Sequence, residues 1–240
     1  MNIDSLGIFF SCFREEKAVN FSIEKLREIY DAPIFLVSDG GLDFSYLEKK
    51  YENIQTQIEE DTMSDTFKVT DKNFREEVHQ MSIKKCSLAV LDRLSRAIDF
   101  CQTDYMLMMD PDTYVRGRLN IPDGVQLLGS RINHGFPDEL KKVLREIDGA
   151  VVIDTWGATP AIFETESFNK AYSFLKSHME ILDKFCQSFY AIYAHDVLLP
   201  LMFALIGYEE TYNPDIIECK RFTGWQQSLN PLVHQFKENY

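Results

Sequence analysis

The stretch Tyr105-Met106-Leu107-Met108-Met109-Asp110-Pro111-Asp112-Thr113 is an apolar run that ends in two carboxylates one residue apart. Its length suits a buried strand, and it stops at a proline that has no N–H to give a sheet ladder. Two carboxylates at such an exit repel each other and must shed water if they are covered. A divalent cation beside them relieves both costs, and Mg²⁺ and Mn²⁺ are hard ions that prefer oxygen ligands. Sites of this kind take one or two protein carboxylates and fill the remaining positions with water and substrate phosphate. The competing reading is a plain surface turn, because Asp-Pro-Asp is ordinary turn chemistry.

Working outward, Ser82 to Phe100 carries Ile83, Cys86, Val90, Leu91, Leu94, Ala97 and Ile98 three and four apart. That spacing predicts an amphipathic helix feeding directly into the strand before Asp110. Arg93 falls on its polar flank, where a solvated position is expected. Upstream, Leu6 to Phe13 reads as a first strand, Phe21 to Tyr30 as a helix and Ala32 to Val37 as a second strand closed by Ser38-Asp39-Gly40-Gly41. A weaker strand is expected near Ile54 to Ile58, and Asp61 to Gln80 reads as an insertion or loop. Strand, helix, strand in this order predicts a parallel sheet. Downstream, Gly149 to Asp154 reads as a strand reaching a loop with Trp156, Gly157 and Pro160. Glu164 to about Cys186 reads as one long helix, and His195 to Gly207 as a short apolar helix stopped by Gly207. The last thirty residues look aromatic and loop-like. The fold class expected is α/β, a single Rossmann-like domain over 1–240 with a central mixed, mostly parallel sheet flanked by helices. Ligands collect where such strands present their carboxyl ends, here Ser11 to Arg14, Ser38 to Gly41, Asp110 to Thr113 and Asp154 to Thr159.

Composition narrows the classes. The chain has 240 residues, 45% hydrophobic and 26% charged, which is ordinary globular composition. With 25 basic and 38 acidic residues the net charge is −13, so counterion release from nucleic acid offers no gain. Five dispersed cysteines with no C-x-x-C pair read as core thiols in a reducing compartment. The opening residues lack a basic region, and the longest apolar stretch, Val197 to Ile206, is about half of the ~20 residues that a membrane span needs. A cytoplasmic protein with no integral membrane segment is expected, able to work beside a membrane-bound acceptor.

The combination resembles the GT-A-type, DxD-containing glycosyltransferases, which are nucleotide-sugar-dependent enzymes. The likeness covers the layout from Leu6 to Lys237, but only the Asp110-Pro111-Asp112 element, with Thr113-Tyr114-Val115-Arg116-Gly117-Arg118 after it, is motif-like. The resemblance implies a nucleotide-sugar-binding half over about 1–115 and an acceptor-binding half with a C-terminal metal-site segment over about 116–240. It implies that Asp110 and Asp112 meet Mn²⁺ (or Mg²⁺) and the donor, Asp112 as direct ligand and Asp110 at the ribose or metal. It further implies a nucleotide loop at Ser11 to Arg14, base or ribose recognition at Asp39, a third metal ligand in His234, a diphosphate contact in Lys237 and a general base in Asp196. Asp154, Trp156 and Trp225 are the candidate sugar and acceptor residues, since Trp rings stack on sugars. Each position has a plainer reading: Asp39 shapes a turn, His234 packs, Asp196 caps a helix and the Trp rings fill a core. The activity implied is transfer from a UDP- or GDP-linked sugar to a glycan or other hydroxyl acceptor, with inversion. Two other readings stand beside it. One is a phosphohydrolase of the haloacid dehalogenase type, which also ends a strand in two aspartates but near the N-terminus. The other is a nucleotide-sugar-binding module without turnover.

Overall fold

Alternation along the central strands builds two apolar layers. The computed structural model describes residues 5–61, 66–219 and 231–234. Strands β1 (Leu6–Cys12), β2 (Ile34–Asp39), β3 (Ile54–Glu59) and β4 (Tyr105–Met109) run parallel in the order β3-β2-β1-β4. Successive side chains point to opposite faces of a strand. Phe9, Phe35, Val37, Met106 and Met108 therefore enter one layer, while Ile8, Phe10, Ile34, Leu36, Leu107 and Met109 enter the other. Burial on both faces is why these strands read as continuous apolar runs. The first layer is closed by α3 (Glu77–Cys101), α4 (Asp138–Arg145), α5 (Thr165–Ser177), α6 (Met179–Ser188) and α7 (His195–Leu205). The second is closed by α1 (Glu16–Arg27) and α2 (Tyr46–Lys50), together with a small sheet.

Beyond β4 the sheet turns mixed. Strand β7 (Thr155–Glu164) lies antiparallel to β4, with Met108 opposite Ala161, and β6 (Leu127–Gly135) lies antiparallel to β7. Strand β8 (Thr211–Tyr212) completes the seven-stranded order β3-β2-β1-β4-β7-β6-β8. Because β7 runs backwards, its first residues stand at the edge where β1, β2 and β4 end. The separate small sheet joins β5 (Thr113–Val115), β10 (Leu232–His234) and β9 (Ile217–Cys219), with the His234 backbone in register with Thr113.

Three expectations need correction. Residues 150–154 form no strand; the strand starts at Thr155, and the polar cluster 154–159 is a strand's beginning rather than its end. The helix read through Cys186 is two helices, broken at His178 (φ −133, ψ 56). Arg93 is not solvated: it is 1% exposed, for reasons given below. The stop at Gly207 is observed, with φ +86. Among the described residues no helix is long and apolar enough to cross a membrane. Cys12, Cys86, Cys101 and Cys186 are buried free thiols.

Candidate active site

The turn after β4 is built by its own sequence. Thr113 donates its N–H to the Asp110 carbonyl at 3.0 Å, closing a four-residue turn with Pro111 at the second position, where a fixed φ suits it. Ser22, buried in α1, directs its hydroxyl at the carbonyls of Pro111 (3.0 Å) and Thr113, which ties the turn to the helix behind it. The turn is thus an Asp-Pro-Asp turn in the plain sense, and it also holds both aspartates at the sheet edge. Asp112 is 7% exposed and Asp110 partly exposed.

Asp110 meets Asp196 through one residue. The Thr159 hydroxyl donates to Asp110 Oδ2 at 2.6 Å and lies 3.3 Å from Asp196 Oδ1, while the Thr159 N–H donates to that same Asp196 oxygen at 3.1 Å. A hydroxyl has one proton, so the shorter contact takes it. The antiparallel run of β7 is what carries Thr159 here, and α7 supplies Asp196 in its first turn. A helix N-terminus and a backbone N–H both favour the ionised carboxylate. Asp196 is not the cap itself, since that position is Ala194.

A second polar cluster lies at the ends of β2 and β3. Arg93 sends a fork to Asp39, at 2.8 and 3.2 Å, and its Nε to Glu59 at 2.7 Å. Arg96 also reaches Glu59. Burial works against the Glu59 carboxylate, but the two guanidiniums outweigh it and hold its pKa below the ordinary value. For Arg93 the two carboxylates likewise outweigh burial and hold its pKa up. An amphipathic pattern places Arg93 on the helix flank, and only these waiting carboxylates let it be buried.

A cavity of about 450 Å³ opens beside both clusters, lined by Ser11, Cys12, Phe13, Glu15, Asp39, Asp61, Phe67 and Pro111. Its floor loop is held by Glu15, whose carboxylate accepts the N–H groups of Phe13 and Arg14 at 3.0 and 2.9 Å. Gly41 lets that loop close in, because a Cβ there would lie 1.7 Å from the Phe13 carbonyl oxygen. The exposed Arg14 guanidinium covers the Phe13 ring at 4.6 Å.

Sequence reasoning missed three contributors: Thr159, Ser22 and His195. His195 opens α7, sits edge-on to Phe9 at 6.4 Å, and has an inaccessible Nε2 without a hydrogen-bond partner among the described residues. Burial pushes its pKa down, partly offset by Asp110. The adjacent His195-Asp196 pair was the available signal, but a His at a helix start is too common to stand out. The remaining predicted residues do not all converge. Asp154 is exposed and paired with Lys141 at 2.8 Å. Trp156 lies in β7 and His234 in β10 by backbone, and nothing is described of their side chains. Trp225 and Lys237 lie outside the described residues. Among the described residues no three metal-ligating side chains cluster.

No protein-family model and no curated protein matches the chain. Solved structures do. The mannosyltransferase Ktr4p from S. cerevisiae superimposes with a TM-score of 0.54 at 12% identity, over 85% of this chain and 66% of that one. Its structure in complex with GDP gives 0.55 at 12%, over 85% and 67%. Core-mannan synthase A (CmsA/Ktr4) from Aspergillus fumigatus, in its Mn/GDP form, gives 0.53 at 9%, over 84% and 70%. The chain spans about two thirds of the length of these proteins. At such identity the likeness is one of fold: the chain shares the GT-A-like fold of these glycosyltransferases, here one seven-stranded mixed, mostly parallel sheet flanked by helices.

Proposed function

We propose that the chain is a metal-dependent glycosyltransferase that moves a sugar from a nucleoside-diphosphate sugar to an acceptor hydroxyl, with inversion and with Asp196 as base. One observation carries the reading. The Thr159 hydroxyl joins Asp110 to Asp196 at the strand-end edge, beside a cavity whose lining includes Ser11, Asp39 and Pro111.

The cavity suits the donor's nucleoside. Phe13 and Phe67 are among its lining residues, and aromatic rings are suited to contact a base. Arg93 engages both Asp39 oxygens, and a carboxylate oxygen keeps a second lone pair for a ribose hydroxyl. Ser11 and Arg14 are proposed to meet the diphosphate. The same lining holds Glu15, Asp39 and Asp61, and also Pro111, the residue between Asp110 and Asp112. A diphosphate entering so acidic a surface needs a cation with it. The donor set fits that need, since the two carboxylates at the turn are hard oxygen ligands and Mn²⁺ or Mg²⁺ asks for few more from the protein. Asp112 and Asp110 would hold it, with His234, whose backbone stands across from Thr113, as third ligand and Lys237 near the phosphates. Bound there, the ion supplies charge neutralisation for the leaving nucleoside diphosphate.

Asp196 takes the proton of the attacking hydroxyl. The Thr159 N–H fixes one of its oxygens and the Thr159 hydroxyl holds Asp110 in step with it. Trp156 and Trp225 are proposed to meet the sugar or acceptor. GDP-linked sugars are the first donors to test, because the similar structures hold GDP. The experiment is release of GDP or UDP from a panel of nucleotide sugars with and without Mn²⁺, for wild type and Asp112→Ala. Metal-dependent release from one donor, lowered by about 100-fold or more in Asp112→Ala, is expected. Equal activity in the variant overturns the metal assignment. Binding without release in wild type favours a non-catalytic module.

A further inference from the structure

Glu210, just before β8, is 6% exposed and takes no part in the chemistry above. Its carboxyl tip lies between two glycines: a Cβ on Gly129 of β6 would lie 1.7 Å from Oε1, and one on Gly157 of β7 would lie 1.8 Å away. The tip therefore fills the space that any side chain at either position would take. It accepts the Tyr212 hydroxyl on Oε2 at 2.7 Å and the Gly157 N–H. Tyr212 in turn meets the Thr155 hydroxyl at 3.2 Å. Thr155, Gly157 and Thr159 are alternate residues of β7, and each is tied to a polar group: Tyr212, Glu210 and Asp196 respectively. Among the described residues no Lys or Arg pairs with Glu210. A buried carboxyl without a cation is far cheaper neutral than charged.

We propose that Glu210 is a positioning residue whose buried carboxyl, seated between Gly129 and Gly157, grips the first half of β7 and so aims Thr159 at Asp196 and Asp110. The proposal rests on the transferase reading for its kinetic consequence but not for its physical one. Burial pushes the Glu210 carboxyl up to about 8, against the Tyr212 hydroxyl and the Gly157 N–H, which pull it down, and Asp196 adds to the rise. Tyr212 from β8 and Asp196 from α7 are the titratable groups acting on it. Below about pH 8 the acid keeps its proton and the grip holds. Above that a buried charge appears close to Asp196; the Tyr212 hydroxyl and the Gly157 N–H still donate to it, while burial and repulsion from Asp196 act against its seat between the glycines.

Three measurements test this. Titrating the Glu210 carboxyl carbon by NMR in the wild-type protein without substrate should give a midpoint near 8, and an ordinary glutamate midpoint overturns the neutral acid. Glu210→Gln, which imitates the neutral form, should keep kcat at neutral pH within a few-fold and remove the alkaline fall expected of wild type. The donor KM should change little in both proteins. An identical alkaline fall in Glu210→Gln overturns the positioning role. Gly157→Ala expels the carboxyl tip and should lower kcat even at neutral pH; an unchanged kcat overturns it as well. If no donor is turned over by any form, the transferase reading falls while the NMR titration still decides the state of Glu210.

Discussion

Arg93→Met tests whether the strand-end cluster is organised as described. Arg93 and Asp39 have side-chain exposures of 2% and 8%, and Glu59 has 21%. Methionine keeps the apolar length of the side chain, so the loss is electrostatic rather than volumetric. Glu59 retains Arg96, which leaves Asp39 as the carboxylate that loses a bidentate partner. Removing one member of a buried pair costs about 3–5 kcal/mol, because the surviving charge is left largely desolvated. For a chain of this length that lowers the thermal midpoint by about 6–20 °C. Urea unfolding at neutral pH should show the loss at an unchanged slope. Arg93→Met with Asp39→Asn should recover most of it, since exchanging both partners removes the stranded charge. The pH dependence has a definite sign. Glu59 has a folded pKa below its unfolded one, so its pairing contributes above the unfolded value and is lost as pH falls through the folded one. The gap between wild type and Arg93→Met should therefore narrow on acidification. A single variant within about 1 kcal/mol of wild type, or a double variant no better than the single, refutes the reasoning.

Two further substitutions act on the site directly. Thr159→Val removes the hydroxyl given to Asp110 and leaves the N–H to Asp196 intact, so about 1.5–3 kcal/mol of charge-assisted bonding is lost. Nucleotide release from the donor should fall with it, and an unaltered rate would show that the link is incidental. Gly41→Ala puts a Cβ 1.7 Å from a backbone oxygen that has no rotamer to escape with, so the loop at Phe13 must move. Calorimetric titration with GDP or UDP should show weakened binding at a stability cost of about 1–3 kcal/mol, and unchanged affinity would remove this loop from the nucleotide site.

The parallel half of the molecule was legible because its strands are buried on both faces. Leu6, Ile34 and Tyr105 each open runs with nowhere to go but a sheet interior. The helix before Asp110 was legible for the complementary reason, its apolar residues recurring every three or four places. Strand β7 was not. Its first half, Thr155 to Pro160, carries a glycine and a proline that read as punctuation, and its direction depends on β4 rather than on anything local. That direction brings Thr159 to Asp110, so half of the candidate site hung on a fact of topology. The break at His178 had no glycine or proline to announce it. Glu210 sits in the run Tyr208-Glu209-Glu210-Thr211-Tyr212, which looks solvated; only Gly129 and Gly157, far away in sequence, make room for it.

Burial and exposure alone do not explain why so many acids can meet at one sheet edge. The structure gives them different means of tolerance. Asp39 and Glu59 have Arg93 beneath them, so their charge is met from below. Glu210 has no cation among the described residues, and burial lifts its carboxyl enough for it to keep a proton at neutral pH. Asp196 stands in the first turn of α7 and receives a backbone N–H, partial positive charge that a helix supplies without a basic residue. Asp110 accepts the Thr159 hydroxyl, which carries no charge. The two carboxylates at the turn are hard oxygen ligands one residue apart, and a divalent cation would relieve their mutual repulsion. That chemistry at the strand-end turn is the physical argument for proposing a metal ion and a diphosphate at Asp110 and Asp112.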